Sequence, residues 1–420
     1  MYLDEVVEAQ KLGETRGIVS ICSAHPWVLK AAMGRAAGSL LIEATCNQVN
    51  QFGGYTGMNP ADFVRFVREI AEQNDFPFEN IILGGDHLGP SVWQDEPAEV
   101  AMGKAEELIR DYVEAGFIKI HLDCSMRLGD DPGGTFGLEV EVSADRSARL
   151  AQIAERTGRS NLRYVIGTEV PIPGGAREHE EGVSVTKVED TRQTIEATRE
   201  AFYRAGLQAA WERVIAVVVQ PGVEFGDDFV LPYQSEAAQE LSTFIENQSM
   251  LYEAHSTDYQ TREALRNMVR DHFAILKVGP ALTFAFREGV FVLSKMEDEL
   301  IPSMERSDIL SVLDRVMVEN PEYWVKYYHG SEAEQAFKRR YSLSDRIRYY
   351  WPRPAVERAF EKMMVNLDQN PLPVTLVKQK APDVYILVAE TGAITAEQIL
   401  LAKIQHVLGD YADACKMISG

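Results

Sequence analysis

An aspartate and a histidine stand side by side in IILGGDHLGP, residues Ile81 to Pro90, where three apolar residues and two glycines lead into Asp86 and His87. An acid beside an imidazole at the end of a buried strand has the means to move a proton or hold a metal ion. Its ordinary reading is a helix-capping aspartate next to a satisfied histidine. The paired glycines predict a turn and a close approach of the backbone to a ligand. Similar residues recur at the ends of other apolar runs: Glu43 and Asn47, His121 and Asp123, Glu169, Gln220, Glu253 and His255, and Lys277. Each of these, if buried and unpaired, would cost several kcal/mol, which is hard to reconcile with a purely structural role. Because side chains alternate along a strand, His121 and Asp123 share one face of theirs, and Glu253 and His255 share one face of another. Two histidines and a carboxylate converging from separate strands suit Zn²⁺ or a similar divalent ion. Lys277 is either an amine that desolvation makes nucleophilic toward a sugar carbonyl or, as is commoner, a lysine paired with a carboxylate such as Glu253.

These residues need elements to bring them together. Apolar runs at Ile18 to His25, Leu40 to Thr45, Ile81 onward, Phe117 to Cys124, Tyr164 to Val170, Ile215 to Gln220, Met250 to His255 and Phe273 to Val278 read as eight strands. Helical patterns separate them. After Asn59-Pro60, for example, Phe63, Phe66, Val67 and Ile70 fall on one face, and after Pro97 so do Ala101, Ala105, Leu108 and Tyr112, up to a stop at Gly116. Eight near-continuous apolar strands alternating with amphipathic helices predict an α/β fold, a (β/α)8 TIM barrel over residues 1–284. No glycine fingerprint follows the first strand, so a dinucleotide-binding open sheet is not indicated and no nucleotide cofactor is expected. In such a barrel the chemistry lies at the carboxyl ends of the strands, where the polar residues above stand. The polar loop NQVNQFGGYTGMNP is longer than most connections and reads as functional or lid-like. Residues 285–420 read as a mostly helical C-terminal region packed on the barrel, with one strand-like run, VYILV at Val384 to Val388. RIRYYWPR at Arg346 to Arg353, with Tyr323, Trp324, Tyr327 and Tyr328, is either an interaction surface or ordinary packing.

Composition narrows the partners. Of 420 residues, 42 are Lys or Arg and 64 are Asp or Glu, and the net charge of −22 argues against a broad nucleic-acid or anionic-membrane surface. A local basic pocket for a small anion is compatible with it. The four cysteines form no CxxC pair, so they read as reduced thiols rather than a disulfide or zinc framework. With no run of about 18 apolar residues and no apolar leader at the start, a cytoplasmic protein is expected, with no membrane segment.

Four stretches together carry a resemblance: IEATCNQVNQFGGYTGMNPADF from Ile42, ILGGDHLGP from Ile82, GTEVPIPGG from Gly167 and YEAHSTDYQ from Tyr252. They resemble the accessory, or Z, subunit of tagatose-1,6-bisphosphate aldolase, and the likeness extends through RIRYYWPRP. It implies a barrel that stabilises and activates a separate catalytic class II zinc aldolase subunit, in catabolism of galactitol, tagatose or an amino sugar, and an oligomeric assembly. The Z subunits look like distant relatives of the class II aldolases, which implies a role for Asp86 as proton donor or acceptor and for His87, Glu169 and His255 as metal ligands. Glu43, Asn47, Asp123, Gln220 and Lys277 are then the candidates to bind a ketose or ketose phosphate. Two departures weaken a catalytic role. Gln220 stands where the class II pattern has a further zinc histidine, and Ser256-Thr257-Asp258 replaces a glycine-rich phosphate loop. The alternative is a metal-dependent aldolase or epimerase acting on a ketose in its own right. A sugar-phosphate kinase is disfavoured, since there is no GxxxxGK[ST] loop.

Overall fold

The computed structural model describes residues 1–36, 38–133, 138–167, 184–388 and 394–416. Eight parallel strands, β1 (Ile18–Cys22), β2 (Leu40–Thr45), β3 (Ile81–Leu88), β4 (Lys119–Leu122), β5 (Arg163–Ile166), β6 (Val214–Val218), β7 (Leu251–Ala254) and β8 (Phe273–Val278), pair in sequence order and close through β8 on β1. This is the expected (β/α)8 barrel with a helical C-terminal region. The strands are apolar along nearly their whole length because one face meets the barrel interior and the other meets the helices. Low in the interior, Ile18, Leu41, Ile82, Leu251 and Ile275 form a dry layer, closed from below by Leu3 and Val6 of the first helix, Tyr2–Lys11. Above it the filling turns polar, with Ser20, Glu43, Lys119 and Glu253 all at 0% exposure.

Strand β3 makes this change of filling feasible. Its two glycines lie inside the strand, so the turn expected there does not form. They make room instead: a Cβ on Gly84 would stand 2.6 Å from Cγ of Glu43, and one on Gly85 would stand 2.4 Å from Leu88. Gly84 therefore admits a carboxylate into the barrel, and Gly85 lets the outer wall close. Farther along, His87 takes a left-handed φ of 48°, and the pairing of β3 with β4 slips between Gly85 and Leu88. Such an irregularity breaks the two-residue alternation of a strand. Asp86 and His87, adjacent in sequence, both reach the cavity at the carboxyl mouth as a result.

The ring of outer helices is completed from far along the chain. The helix after β8, Pro280–Leu300, spans the expected division at residue 284 and leads into the C-terminal helices. The last helix, Ala396–Ala414, packs against Pro26–Met33, Arg262–Arg270 and β1. Gln405 donates to the carbonyl of Ala31 at 3.3 Å, Tyr411 donates to that of Thr257 at 2.7 Å, and Gly17 N–H donates to that of Cys415 at 3.2 Å. The end of the chain thus seals the barrel between its first and seventh helices. The strand-like VYILV run is part of a helix, Pro382–Val388. Pro382 opens it and Asp383 lies in its first turn, local signals that outweigh a short apolar run. Tyr328, Tyr350 and Trp351 are buried, so this aromatic cluster packs on the barrel and walls the cavity instead of forming an outer face.

Two glycines separate close approach from simple helix propensity. A Cβ on Gly89 would stand 1.7 Å from the carbonyl oxygen of Asp123, whereas one on Gly103, in the exposed face of helix Ala98–Ala115, meets nothing within 4 Å. Chemical denaturation should show Gly89→Ala losing at least about 3 kcal/mol or failing to fold, because backbone cannot yield cheaply. Gly103→Ala should gain about 1 kcal/mol. Equal tolerance of the two substitutions would contradict this packing.

Candidate functional site

The strand ends open into a cavity of about 1060 Å³. From the barrel it is lined by Asp86, His87, Asp123, His255 and Lys277, and from the long loop after β2 by Asn47, Gln48 and Tyr55. The helical region closes the far side with Tyr327, Arg346, Arg348, Tyr349 and Trp351. The loop is pinned: Gln48 accepts from Thr45 N–H at 2.9 Å, Asn50 donates to the carbonyl of Cys46 at 2.8 Å, and Tyr112 donates to that of Val49 at 2.9 Å. It is a built wall of the cavity.

A charged cluster forms the cavity floor and continues beneath it. Lys119 stands 2.7 Å from a carboxylate oxygen of Glu43 and 2.7 Å from one of Glu253, at ion-pair distance though without hydrogen-bond alignment. Lys277 touches Asp86 Oδ1 and lies 3.4 Å from Glu253 and 3.5 Å from Glu43. Burial alone would push the Asp86 carboxyl up, but the charges of His87 and Lys277 and a hydrogen bond from His121 hold it well below the usual carboxylate range. Glu253 is likewise held well below its ordinary value against its burial, by Lys119 and Lys277. Both lysines are raised in spite of burial, so they remain ammonium groups. A neutral amine able to form a Schiff base is therefore absent at Lys277, and the paired reading of this lysine is the one the structure shows.

The histidines divide by partner. His87 Nδ1 bonds Asp123 Oδ2 at 2.8 Å, and although burial opposes its charge, Asp86 and Asp123 raise its pKa. His255 is driven down to about 3 by burial, with the Lys277 ammonium adding to the effect, and its Nε2 faces Glu253 at 3.1 Å. His121 Nδ1 lies 2.8 Å from Asp86 Oδ1 and 3.2 Å from the backbone nitrogen of His87. One nitrogen cannot donate to the carboxylate and accept from the amide together, and the shorter, charge-assisted contact places the proton on Nδ1. Nε2 of His121 is then buried without a hydrogen-bond partner.

The four ligand atoms offered by Asp86, His121, Glu253 and His255 all lie within 4.8 Å of one another, a candidate group for a divalent ion. Their donor types fit one, and the orphaned imidazole nitrogen of His121 adds to the fit. Against it stands Lys277, whose ammonium already contacts two of the same carboxylates.

Several expected site residues hold other positions. His87 lies outside the metal-ligand group, with its Nδ1 committed to Asp123. Glu169 falls outside the described residues. Glu43 is fully buried, paired with Lys119 and Lys277, and absent from the cavity lining, so it holds charge inside the barrel and makes no surface for a sugar. Gln220 lies past the end of β6, where its side-chain oxygen accepts from Gly222 N–H at 2.8 Å and Val223 N–H at 3.0 Å. It caps a turn and is absent from the cavity lining. Asn47, Asp123 and Lys277 do line the cavity, with Asp86 and His255. His121 and Glu253 were visible as strand-end residues, and Lys119 completes an alternating row, Lys119, His121, Asp123, that marks an inward face.

The place where a barrel holds a phosphate is also filled. Asp258 Oδ1 accepts from Gly279 N–H at 3.1 Å and Ala281 N–H at 2.7 Å, at the N-terminus of helix Pro280–Leu300. That is the loop after β7 and the helix start after β8, the region that commonly cradles phosphate in this fold. Here the chain's own carboxylate takes the anion's place, with its pKa raised by burial to about 6.

The model of one protein family, D-tagatose-1,6-bisphosphate aldolase subunit GatZ/KbaZ-like, matches residues 3–416. The chain belongs to that family. A crystal structure of a probable tagatose 6 phosphate kinase from Sinorhizobium meliloti 1021 is 46% identical, with a TM-score of 0.88, and the match covers 95% of this chain and 100% of that one. A fructose-bisphosphate aldolase from Campylobacter jejuni is 13% identical with a TM-score of 0.45, over 87% of this chain and 92% of that one, too distant to bear on function. No helix among the described residues is long and apolar enough to cross a membrane.

The competition between Lys277 and a metal ion is measurable. Lys277→Met leaves Asp86 without its ammonium partner and should lower stability by about 3–5 kcal/mol. Zinc should then raise the melting temperature of the variant more than that of the parent, because the ion replaces the lost charge. An equal zinc response in both proteins would show that the lysine does not compete.

Proposed function

We propose that this chain is the non-catalytic, stabilising and activating subunit of a class II D-tagatose-1,6-bisphosphate aldolase, working with a separate catalytic subunit in tagatose, galactitol or amino-sugar breakdown. Family membership supports the association with a tagatose-bisphosphate aldolase. The observation that favours the accessory role is Asp258 on the helix N-terminus. A bisphosphate brought to that place meets a carboxylate in its own position, and the positioning energy that phosphate binding would lend to the reacting carbon is lost. Lys277 acts in the same direction by neutralising the carboxylates on which a metal would sit.

Where an ion is bound, zinc is favoured by the donor types, and Asp86, His121, Glu253 and His255 would hold it. A divalent ion supplies polarisation of a ketose carbonyl or hydroxyl. The protein's own groups hold His87, its pKa raised against its burial by Asp86 and Asp123, beside an ionised Asp86. That last arrangement favours a second reading, in which the cavity acts on a ketose itself by metal-dependent aldol cleavage or epimerisation.

Reconstitution separates the two. Added to an isolated catalytic subunit, the chain should raise both specific activity and lifetime at elevated temperature, and alone it should not cleave tagatose 1,6-bisphosphate. Rapid turnover of a ketose by the isolated, zinc-supplied chain, abolished in His87→Ala, would overturn the accessory reading.

A further inference from the structure

The cavity wall opposite the strand ends has the chemistry of an anion site, although the usual one is closed by Asp258. Arg346 and Arg348 lie in the short helix Arg346–Tyr349, and both line the cavity. Arg346 is 2% exposed, with Cζ 3.4 Å from the ring centroid of Tyr327. Arg348 is held in place: Nη1 donates to the carbonyls of Ser344 at 2.5 Å and Asp345 at 3.2 Å, and Nη2 donates to the Tyr349 hydroxyl at 2.9 Å. A guanidinium has five N–H donors, so these bonds leave one at Nε and one at Nη2.

Its partners are carbonyls and a phenol, none of which neutralises its charge. Asp345, three residues away, is turned to Arg287 at 3.0 Å and to Thr283 at 2.5 Å. Asp258, whose charge reaches Arg348, keeps Oδ1 on the helix N-terminus. No described carboxylate forms an ion pair with Arg348. A fixed, half-buried guanidinium facing the cavity with donors to spare is suited to a planar or tetrahedral oxyanion. In a chain of net charge −22 it is also a local exception.

We propose that Arg348, with Arg346 beside it, binds the anionic end of a polyhydroxy ligand, a sugar carboxylate or a sugar phosphate, whose other end reaches Lys277 and His87. The cavity, about 1060 Å³, holds a six-carbon ligand of this kind with room for water. This rests on the cavity described above as the ligand site and on nothing in the accessory reading.

Calorimetric titration of the whole chain with D-tagatose, D-tagatose 6-phosphate and D-galacturonate tests it. At least one of the two anionic sugars should bind about tenfold or more tighter than the neutral one, the difference expected from one charge-assisted contact. Arg348→Gln should erase that preference while leaving neutral-sugar affinity within about twofold. Should that variant fail to fold, Arg348→Lys keeps the charge but loses the planar donors, and a reduced preference is expected from it. Preference for the phosphate assigns a sugar phosphate, and preference for galacturonate assigns a sugar acid. The proposal is overturned if no sugar binds, if D-tagatose binds as tightly as both anions, or if the folded variant keeps the full preference. No aldolase is present in these titrations, so their failure is distinct from a failure to stimulate the catalytic subunit.

Discussion

Two ammonium groups buried among three carboxylates determine much of this molecule. Lys119 bridges Glu43 on β2 and Glu253 on β7, and Lys277 on β8 touches Asp86 on β3 and faces the same two glutamates. Unpaired, any one of these charges would be intolerable in the barrel interior. Together they tie five strands, β2, β3, β4, β7 and β8, into a single electrostatic unit, and they keep Asp86 and Glu253 ionised. Gly84 is part of the same constraint, since only a residue without Cβ leaves space for Glu43. A barrel of this design holds metal-type ligands and supplies the neutralising charge itself, which agrees with an accessory more than a catalytic role.

The helical C-terminal region is not an appendage to that barrel. Its final helix occupies the gap between the first and seventh outer helices, and its aromatic and arginine residues form the far wall of the cavity. The site therefore has two unlike sides, one of ionised carboxylates, histidines and lysine at the strand ends, the other of arginine stacked on tyrosine. Asp258 stands where the two meet, sealing the helix start that would otherwise receive a phosphate.

Much of this was legible in the sequence, for identifiable reasons. Apolar runs punctuated by amphipathic helices are imposed by two-sided burial, so the eight strands could be read directly, and β8 appears with the bounds expected of it. Asp86, Asp123, His255 and Lys277 were visible because charge at the end of an apolar strand is conspicuous. Lys119 follows from the same alternation as His121, although it stands at the start of its strand and not at the end. What could not be read depends on contacts distant in sequence. Glu43 is taken from the cavity by Lys119, which comes from β4, and Gln220 by a turn that closes on Gly222 and Val223. The expected turn at Gly84-Gly85 failed for a related reason: glycine there answers to a neighbour's side chain, not to a backbone angle. The VYILV run misled because a short apolar segment has no period of its own. That the RIRYYWPR cluster walls the cavity depends on how helices far apart in the chain pack.

The most direct test of the central electrostatic unit is a double-mutant cycle on Lys119 and Glu253, using Lys119→Met, Glu253→Gln and both together, read by denaturant unfolding. A buried pair held at 2.7 Å should show a coupling energy of at least about 2 kcal/mol, with the double variant more stable than the sum of the single losses implies. A coupling within about 0.5 kcal/mol of zero, the range of independent sites, would contradict the claim that these charges hold the barrel and its cluster together.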